Sequence, residues 1–198
     1  RPTFIAEEPG TYTVELVVSD GVWTSQVSRV ELEVSYRPVA VVGDDIVAAV
    51  GDVVVLDGSD SSGGNGDGLT YIWRVPDEIE LDDPESASPS FTASVTGSYT
   101  VSLVVSDGEL ESNEVGLTID VSYRPEAVIE LSDNVVGVGE SVLLDGTGSS
   151  DGDNSGGFSR GLTYIWTVSD GATLKDATSS RPTFIAEEPG TYTVELVV

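Results

Sequence analysis

Residues 1–18, RPTFIAEEPGTYTVELVV, recur letter for letter as residues 181–198, an offset of 180. A chain that repeats itself at a fixed interval folds as repeated units, each burying its own small core or a face shared with its neighbour. A looser period lies within the long one. TYTVELVVSDG at 11–21 matches SYTVSLVVSDG at 98–108, and VSYRP at 34–38 returns at 121–125, both at an offset of 87. LDG, a polar loop and GLTYIW occupy 56–73 and again 144–166, with the longer loop in the second copy. The module is therefore about ninety residues, and two slightly different modules make the 180-residue unit. On this reading residues 1–38 are the C-terminal strands of one module, 39–125 a complete module, and 126–198 a module lacking its last strand.

A sandwich missing a strand exposes unpaired backbone and apolar surface. The simplest expectation is a polypeptide that continues at both ends, with a sequence like Ser-Asp-Gly-Val-Trp after Val198. The rarer alternative is an exchange in which residues 19–38 of one chain complete residues 126–198 of the next, giving a strand-swapped polymer.

The apolar residues recur with a period of two, which predicts an all-β chain. Tyr99, Val101, Leu103 and Val105 form one face of a strand over 98–106, and Leu117, Ile119, Val121 and Tyr123 one face of another over 115–123. Ser-Asp-Gly at 106–108, and its copy at 19–21, have the composition of a tight hairpin. Val54 and Leu56 mark a further strand, Tyr71 and Trp73 another, and 58–68 is a Gly/Ser/Asp-rich loop between them. About seven short strands per module, a Trp on a middle strand and Gly-x-Tyr at 10–12, 97–99 and 190–192 predict tandem immunoglobulin-like β-sandwiches with tyrosine corners. Trp73, Trp166, Tyr12, Tyr99 and Tyr192 are assigned to core packing, which accounts for their recurrence without a ligand.

Composition removes most chemistry. There is no Cys and no His, which excludes disulfides, thiol nucleophiles, imidazole zinc sites and Ser-His-Asp catalysis. Thirty-five acidic residues against eight basic ones leave a formal charge of −27. That field repels phosphate backbones and anionic membrane surfaces, so neither nucleic acid nor a bilayer is an expected partner. It also calls for screening by salt or bound cations, which points to an extracellular setting. No run approaches the roughly 20 apolar residues needed to cross a bilayer, so no membrane insertion is expected in this window.

These strings resemble the PKD domain family, particularly its bacterial and archaeal members. The resemblance rests on LDGSDSSGGNGDGLTYIW at 56–73, LDGTGSSDGDNSGG at 144–157 followed by GLTYIW, ATLKDATSSRPTFIAEEPGTYTVELVV at 172–198 and ASPSFTASVTGSYTVSLVVSDG at 87–108. It implies a spacer, stalk or adhesion module repeated along cell-surface proteins, in filaments or beside secreted degradative enzymes, with calcium at the end loops of some members. Many members carry Trp-Asp-Phe-Gly-Asp-Gly, whereas Trp73 precedes Arg-Val-Pro-Asp and Trp166 precedes Thr-Val-Ser-Asp. A ligand role for the missing Asp does not transfer.

Candidate metal ligands are Asp57, Asp60 and Asp67 in one loop and Asp145, Asp151 and Asp153 in the next. Calcium takes six to eight oxygens, and flexible Gly/Ser loops supply carboxylates, carbonyls and hydroxyls together. The spacing is not that of an EF-hand, and the same aspartates can serve as turn residues bonding their own backbone; the sequence leaves both open. Asp20 and Asp107 are assigned to turns. Asp44, Asp45, Asp82, Asp83 and Glu85 are weaker candidates.

The expected function is a structural repeat of an extracellular stalk, filament or adhesin, its partners neighbouring modules and possible identical chains. The alternative is an accessory module of a secreted degradative enzyme, with Trp23 as the aromatic that would meet a polymer, although a junction contact with a neighbouring module or chain accounts for Trp23 equally well. An enzyme in its own right is not expected: Asp82 and Asp83 sit in a loop, and the single Lys175 does not serve two modules as an isopeptide staple.

Overall fold

The computed structural model describes residues 1–64, 68–152 and 161–198, and among these every regular element is a β-strand. The strands are β1 (Gly10–Leu16), β2 (Ser28–Val34), β3 (Ile46–Ala49), β4 (Val53–Val55), β5 (Thr70–Arg74), β6 (Ser90–Thr92), β7 (Gly97–Ser106), β8 (Val115–Ser122), β9 (Glu130–Leu131), β10 (Ser141–Asp145), β11 (Ile165–Val168), β12 (Ala172–Lys175), β13 (Thr183–Ala186) and β14 (Val194–Val197). The chain forms two compact units. One comprises 1–46, 53–93 and 98–120; the other comprises 47–52, 94–97 and 121–198.

The repeat at 39–125 forms two sheets, one ordered β3-β8-β7-β5 and one pairing β4 with β6. An isolated bridge between Val39 and Ser62 supplies the first, minimal strand of the repeat. Alternation along β7 puts Val101, Leu103 and Val105 inward, all fully buried, and along β8 it does the same for Leu117, Ile119 and Val121. Leu56, Trp73, Phe91 and Ala93 of the same repeat are buried as well. Each such side chain contributes about 1.5–3 kcal/mol when fully buried. Val104, on the opposite face of β7, is buried as well. Tyr123 falls just past β8 and is exposed, so it belongs to the connection and not to the strand's inner face.

The Ser-Asp-Gly turns form as their residues dictate. Asp107 Oδ1 accepts from the amides of Glu109 and Leu110, and Asp20 Oδ1 from those of Val22 and Trp23. Gly108 and Gly21 take φ near +95° and +91°, a region that costs glycine little. These backbone bonds hold both carboxyls below the usual carboxylate range.

In residues 126–198, β12-β13-β10-β9 form one sheet and β11 pairs with β14 in the other. The core is Val142, Leu144, Trp166, Phe184 and Ala186, with Tyr192, Val194 and Leu196 packed against it. Residues 1–34 contribute only the antiparallel hairpin β1–β2, in register from Gly10 opposite Val34 to Leu16 opposite Ser28. Its apolar face is open. Leu16 is 61% exposed, whereas Leu103, its counterpart 87 residues on, is 0% exposed.

Candidate functional site

The two Gly/Ser/Asp loops, from which metal ligation was the sharpest expectation, are built around the Trp strand and the VSYRP connection. Gly58 leaves the space its Trp needs: a Cβ there would lie 2.8 Å from Leu103 Cδ2 and 3.1 Å from Trp73 Cζ2. Gly146 does the same in the second loop, where a Cβ would lie 2.8 Å from Trp166 Cζ2. The indoles are fixed by donation from Trp73 Nε1 to the Ser86 carbonyl at 3.0 Å and from Trp166 Nε1 to the Ser179 carbonyl at 2.9 Å. The expectation that these tryptophans are core residues is thereby met.

Each loop then grips the first residues of its own repeat, just past the connecting segment. Val39 and Ser62 exchange backbone bonds at 2.8 and 2.9 Å, and the Val41 amide donates to Ser61 Oγ at 3.0 Å. Glu126 and Ser150 repeat the exchange at 2.8 and 3.0 Å, with Val128 donating to Ser149 Oγ at 3.0 Å. A glycine backs onto the segment in both loops. A Cβ on Gly64 would collide with the Tyr36 carbonyl, and one on Gly152 would lie 2.5 Å from Tyr123 Cβ and 2.8 Å from the Arg124 carbonyl. Arg37 donates to the Glu111 carbonyl at 2.8 Å, and Arg124 forms an ion pair with Asp52 at 2.7 Å. In both repeats the residue just past Arg-Pro, Val39 or Glu126, is thus bonded backbone to backbone to the loop of its own repeat.

The aspartates take different roles. Asp57 is exposed, and its Oδ1 accepts from the Ser59 amide at 2.9 Å and the Ser88 hydroxyl at 3.4 Å. Hydrogen bonding from Ser59 lowers its pKa, with Ser88 adding to the effect. Asp145 Oδ1 accepts from the Thr147 amide and hydroxyl at 2.9 and 2.6 Å, and its Oδ2 pairs with Arg181 at 2.8 Å. The Thr147 hydroxyl first, and Arg181 next, hold its pKa at about 2. Both carboxylates close turns, and Asp145 already has a cationic partner that calcium would have to displace. Asp60 is exposed and Asp151 half-buried. Asp67 and Asp153 lie outside the described residues. Among the described residues no three acidic side chains gather where they could hold one metal ion.

Trp23 is 78% exposed at the tip of the β1–β2 hairpin beside Val22. The two ring pairs among the described residues, Phe4 with Tyr12 and Phe184 with Tyr192, do not include it. Among the described residues no stacked aromatic platform for a polymer surrounds it. The tyrosine corner is present at both ends: Tyr12 donates to the Glu8 carbonyl at 2.7 Å, and Tyr192 to the Glu188 carbonyl.

The family profile for the PKD domain matches residues 35–121 and 122–198. The Dyslexia-associated protein KIAA0319-like protein of Mus musculus is 27% identical over 96% of this chain, and the Dyslexia-associated protein KIAA0319 homolog of Rattus norvegicus is 31% identical over 80%. The chain spans only 19% and 15% of those two relatives. Among solved structures, the solution structure of the PKD domain from KIAA 1837 protein is 24% identical over 50% of this chain and 92% of that one, with a TM-score of 0.37. Extracellular domains 3–5 of Drosophila OTK cover 98% of this chain and 68% of theirs at 12% identity and a TM-score of 0.48.

Proposed function

The chain belongs to the PKD domain family, and on that premise we propose that it is a spacer: a run of tandem modules forming a rod-like stalk or filament of an extracellular surface protein. The observation that carries this reading is the connection itself. Val34-Ser-Tyr-Arg-Pro38 and Val121-Ser-Tyr-Arg-Pro125 run from a last strand into the next repeat with no Gly/Ser spacer, and the residue after each proline, Val39 or Glu126, is already bonded to a loop of the repeat it begins. Proline fixes φ and keeps the residue before it extended. Such a connection restricts motion between modules and converts added copies into added reach. Aspartates that hold turns, and a charge of −27 that disfavours nonspecific association, suit the same role.

Insertion of a Gly-Ser linker between Ser122 and Tyr123, followed by NMR relaxation of the two modules, tests it. The native chain should tumble with one long correlation time, and the insertion should shorten it. Equal relaxation in both would remove the reading.

Calcium is a separable addition to this proposal, carried by Asp57 and Asp60 with Asp67 in one loop and by Asp151 with Asp153 in the other. Asp145 is the least suited of the six because Arg181 already neutralises it. Thermal unfolding with and without EDTA decides it: an unchanged midpoint sinks calcium and leaves the spacer.

A further inference from the structure

Seven Asp-Gly steps occur in the sequence, at 20–21, 57–58, 67–68, 107–108, 145–146, 151–152 and 170–171. At such a step the backbone amide after the aspartate can attack its side chain, because glycine has no side chain to obstruct the approach. Attack requires two freedoms: the carboxyl must be able to swing over the following peptide, and the glycine amide must not be committed to an acceptor. The fold withholds both at most of these steps. Gly58 and Gly146 are buried, and their amides donate to the Ala87 and Ser180 carbonyls at 2.8 Å each. Asp57 and Asp145 are held by Ser59 and Thr147. Asp20 and Asp107 each accept from two backbone amides, while Gly21 and Gly108 donate to the hydroxyls of Ser19 and Ser106 at 3.1 and 3.2 Å. Asp151 is half-buried, with Gly152 backed onto Tyr123. Asp67 lies outside the described residues.

Asp170 differs. It is exposed in the turn between β11 and β12, and its carboxylate takes part in no hydrogen bond or ion pair among the described residues. The Gly171 amide donates to no acceptor among them either. The turn is held instead by its neighbours, with Ser169 exchanging bonds with Thr193 and the Gly171 carbonyl accepting from the Glu187 amide at 3.0 Å. We propose that Asp170-Gly171 is a modification site, the place where the folded chain converts spontaneously to an isoaspartyl linkage. This goes beyond the spacer reading and does not depend on it.

The Gly171 nitrogen attacks Cγ of the protonated Asp170 carboxyl. The N–Cγ bond forms, the Cγ–OH bond breaks, and the hydroxyl leaves as water with the amide proton. Water then opens the cyclic imide at the main-chain carbonyl of Asp170, breaking that carbon's bond to the Gly171 nitrogen. The chain thereafter runs through Cγ, the former main-chain carbonyl becomes a free carboxylate, and the mass is unchanged. The protonated carboxyl is the reactive form, so the backbone bonds that keep Asp20 and Asp107 ionised oppose the same step there. At Asp170 the product adds a methylene to the backbone beside the tyrosine corner: a Cβ on Gly171 would already lie 3.3 Å from the Tyr192 ring, whose hydroxyl is bonded to the Glu188 carbonyl.

The sequence supplies its own control, because Ser-Asp-Gly stands both at 19–21 and at 169–171 in different surroundings. Trypsin, cutting after Arg29, Arg160 and Lys175, releases residues 1–29 and 161–175, each with a single aspartate, Asp20 or Asp170. After prolonged incubation of the folded 198-residue chain in mildly acidic buffer, chromatography and fragmentation should reveal a second, equal-mass form of peptide 161–175. The isomer of peptide 1–29 should accumulate at least about tenfold more slowly, since two bonds to its carboxylate must first be released. In urea, where the surroundings are lost and only the shared tripeptide remains, the two rates should converge. Asp170→Glu, which would have to close a larger and slower-forming ring, should abolish the second form. Absence of the isomer from 161–175, equal accumulation in both peptides of the folded chain, a difference that persists unchanged in urea, or a second form that survives Asp170→Glu would overturn the proposal.

Discussion

Leu16 and Leu103 occupy the same place in the repeated TYTVELVV and SYTVSLVV strings, yet the fold treats them in opposite ways. Leu103 is fully buried, its Cδ2 beside the space kept open at Gly58 and against the indole of Trp73. Leu16 is 61% exposed in the hairpin. Truncation of a fully buried leucine removes its transfer energy and leaves a cavity, so Leu103→Ala should cost about 3 kcal/mol or more. For a module of this size each kcal/mol is worth about 4–8 °C in the midpoint, which places the loss at about 12–24 °C. Leu16→Ala removes a side chain that is mostly in water already and should cost under about 1 kcal/mol. Calorimetry at low micromolar concentration reads both, and Leu103→Ala should lower only the transition belonging to residues 39–125. Equal losses from the two variants, or a loss below about 1 kcal/mol from Leu103→Ala, would refute the assignment of 39–125 as the complete module.

Two further outcomes follow from the loops. Gly152→Ala combines a φ of +76° with a clash against Tyr123 and Arg124, so it should destabilise by more than about 1 kcal/mol, whereas Gly161→Ala, which meets nothing within 4 Å, should cost much less; urea unfolding compares them. Asp145 titrates at about 2 when folded, below its unfolded value of about 3.9, so its contribution is present above about pH 4 and is lost as the pH falls toward 2. Asp145→Asn should therefore show a shallower fall in urea midpoint between about pH 5 and about pH 2.5 than the parent chain, and an identical fall would contradict the Thr147 and Arg181 assignment.

Much of this architecture is legible in the sequence because it depends on local period and on repetition. Period-two alternation at 98–106 and 115–121 reports a buried face directly, and Gly-x-Tyr and the Ser-Asp-Gly turns need only neighbouring residues to form. What repetition does not reveal is why a motif recurs. In LDG the aspartate draws attention as a metal ligand, but it is the glycine that the Trp ring demands, and that requirement arises from residues 15 to 50 positions away. The roles of Asp57 and Asp145 are hidden for the same reason: Ser88 and Arg181 reach them only after folding. Arg124 and Asp52 are 72 residues apart, and nothing in their local strings pairs them. Tyr123 continues the alternation of β8 but is exposed, because the strand ends one residue earlier and the chain turns toward its loop.

The measurement closest to the centre of the account is X-ray scattering from chains carrying one, two and three copies of the 180-residue unit in physiological salt. Maximum dimension should grow in equal steps with copy number, as expected for stiffly joined modules. Growth with roughly the square root of copy number, the behaviour of flexibly linked beads, would contradict it.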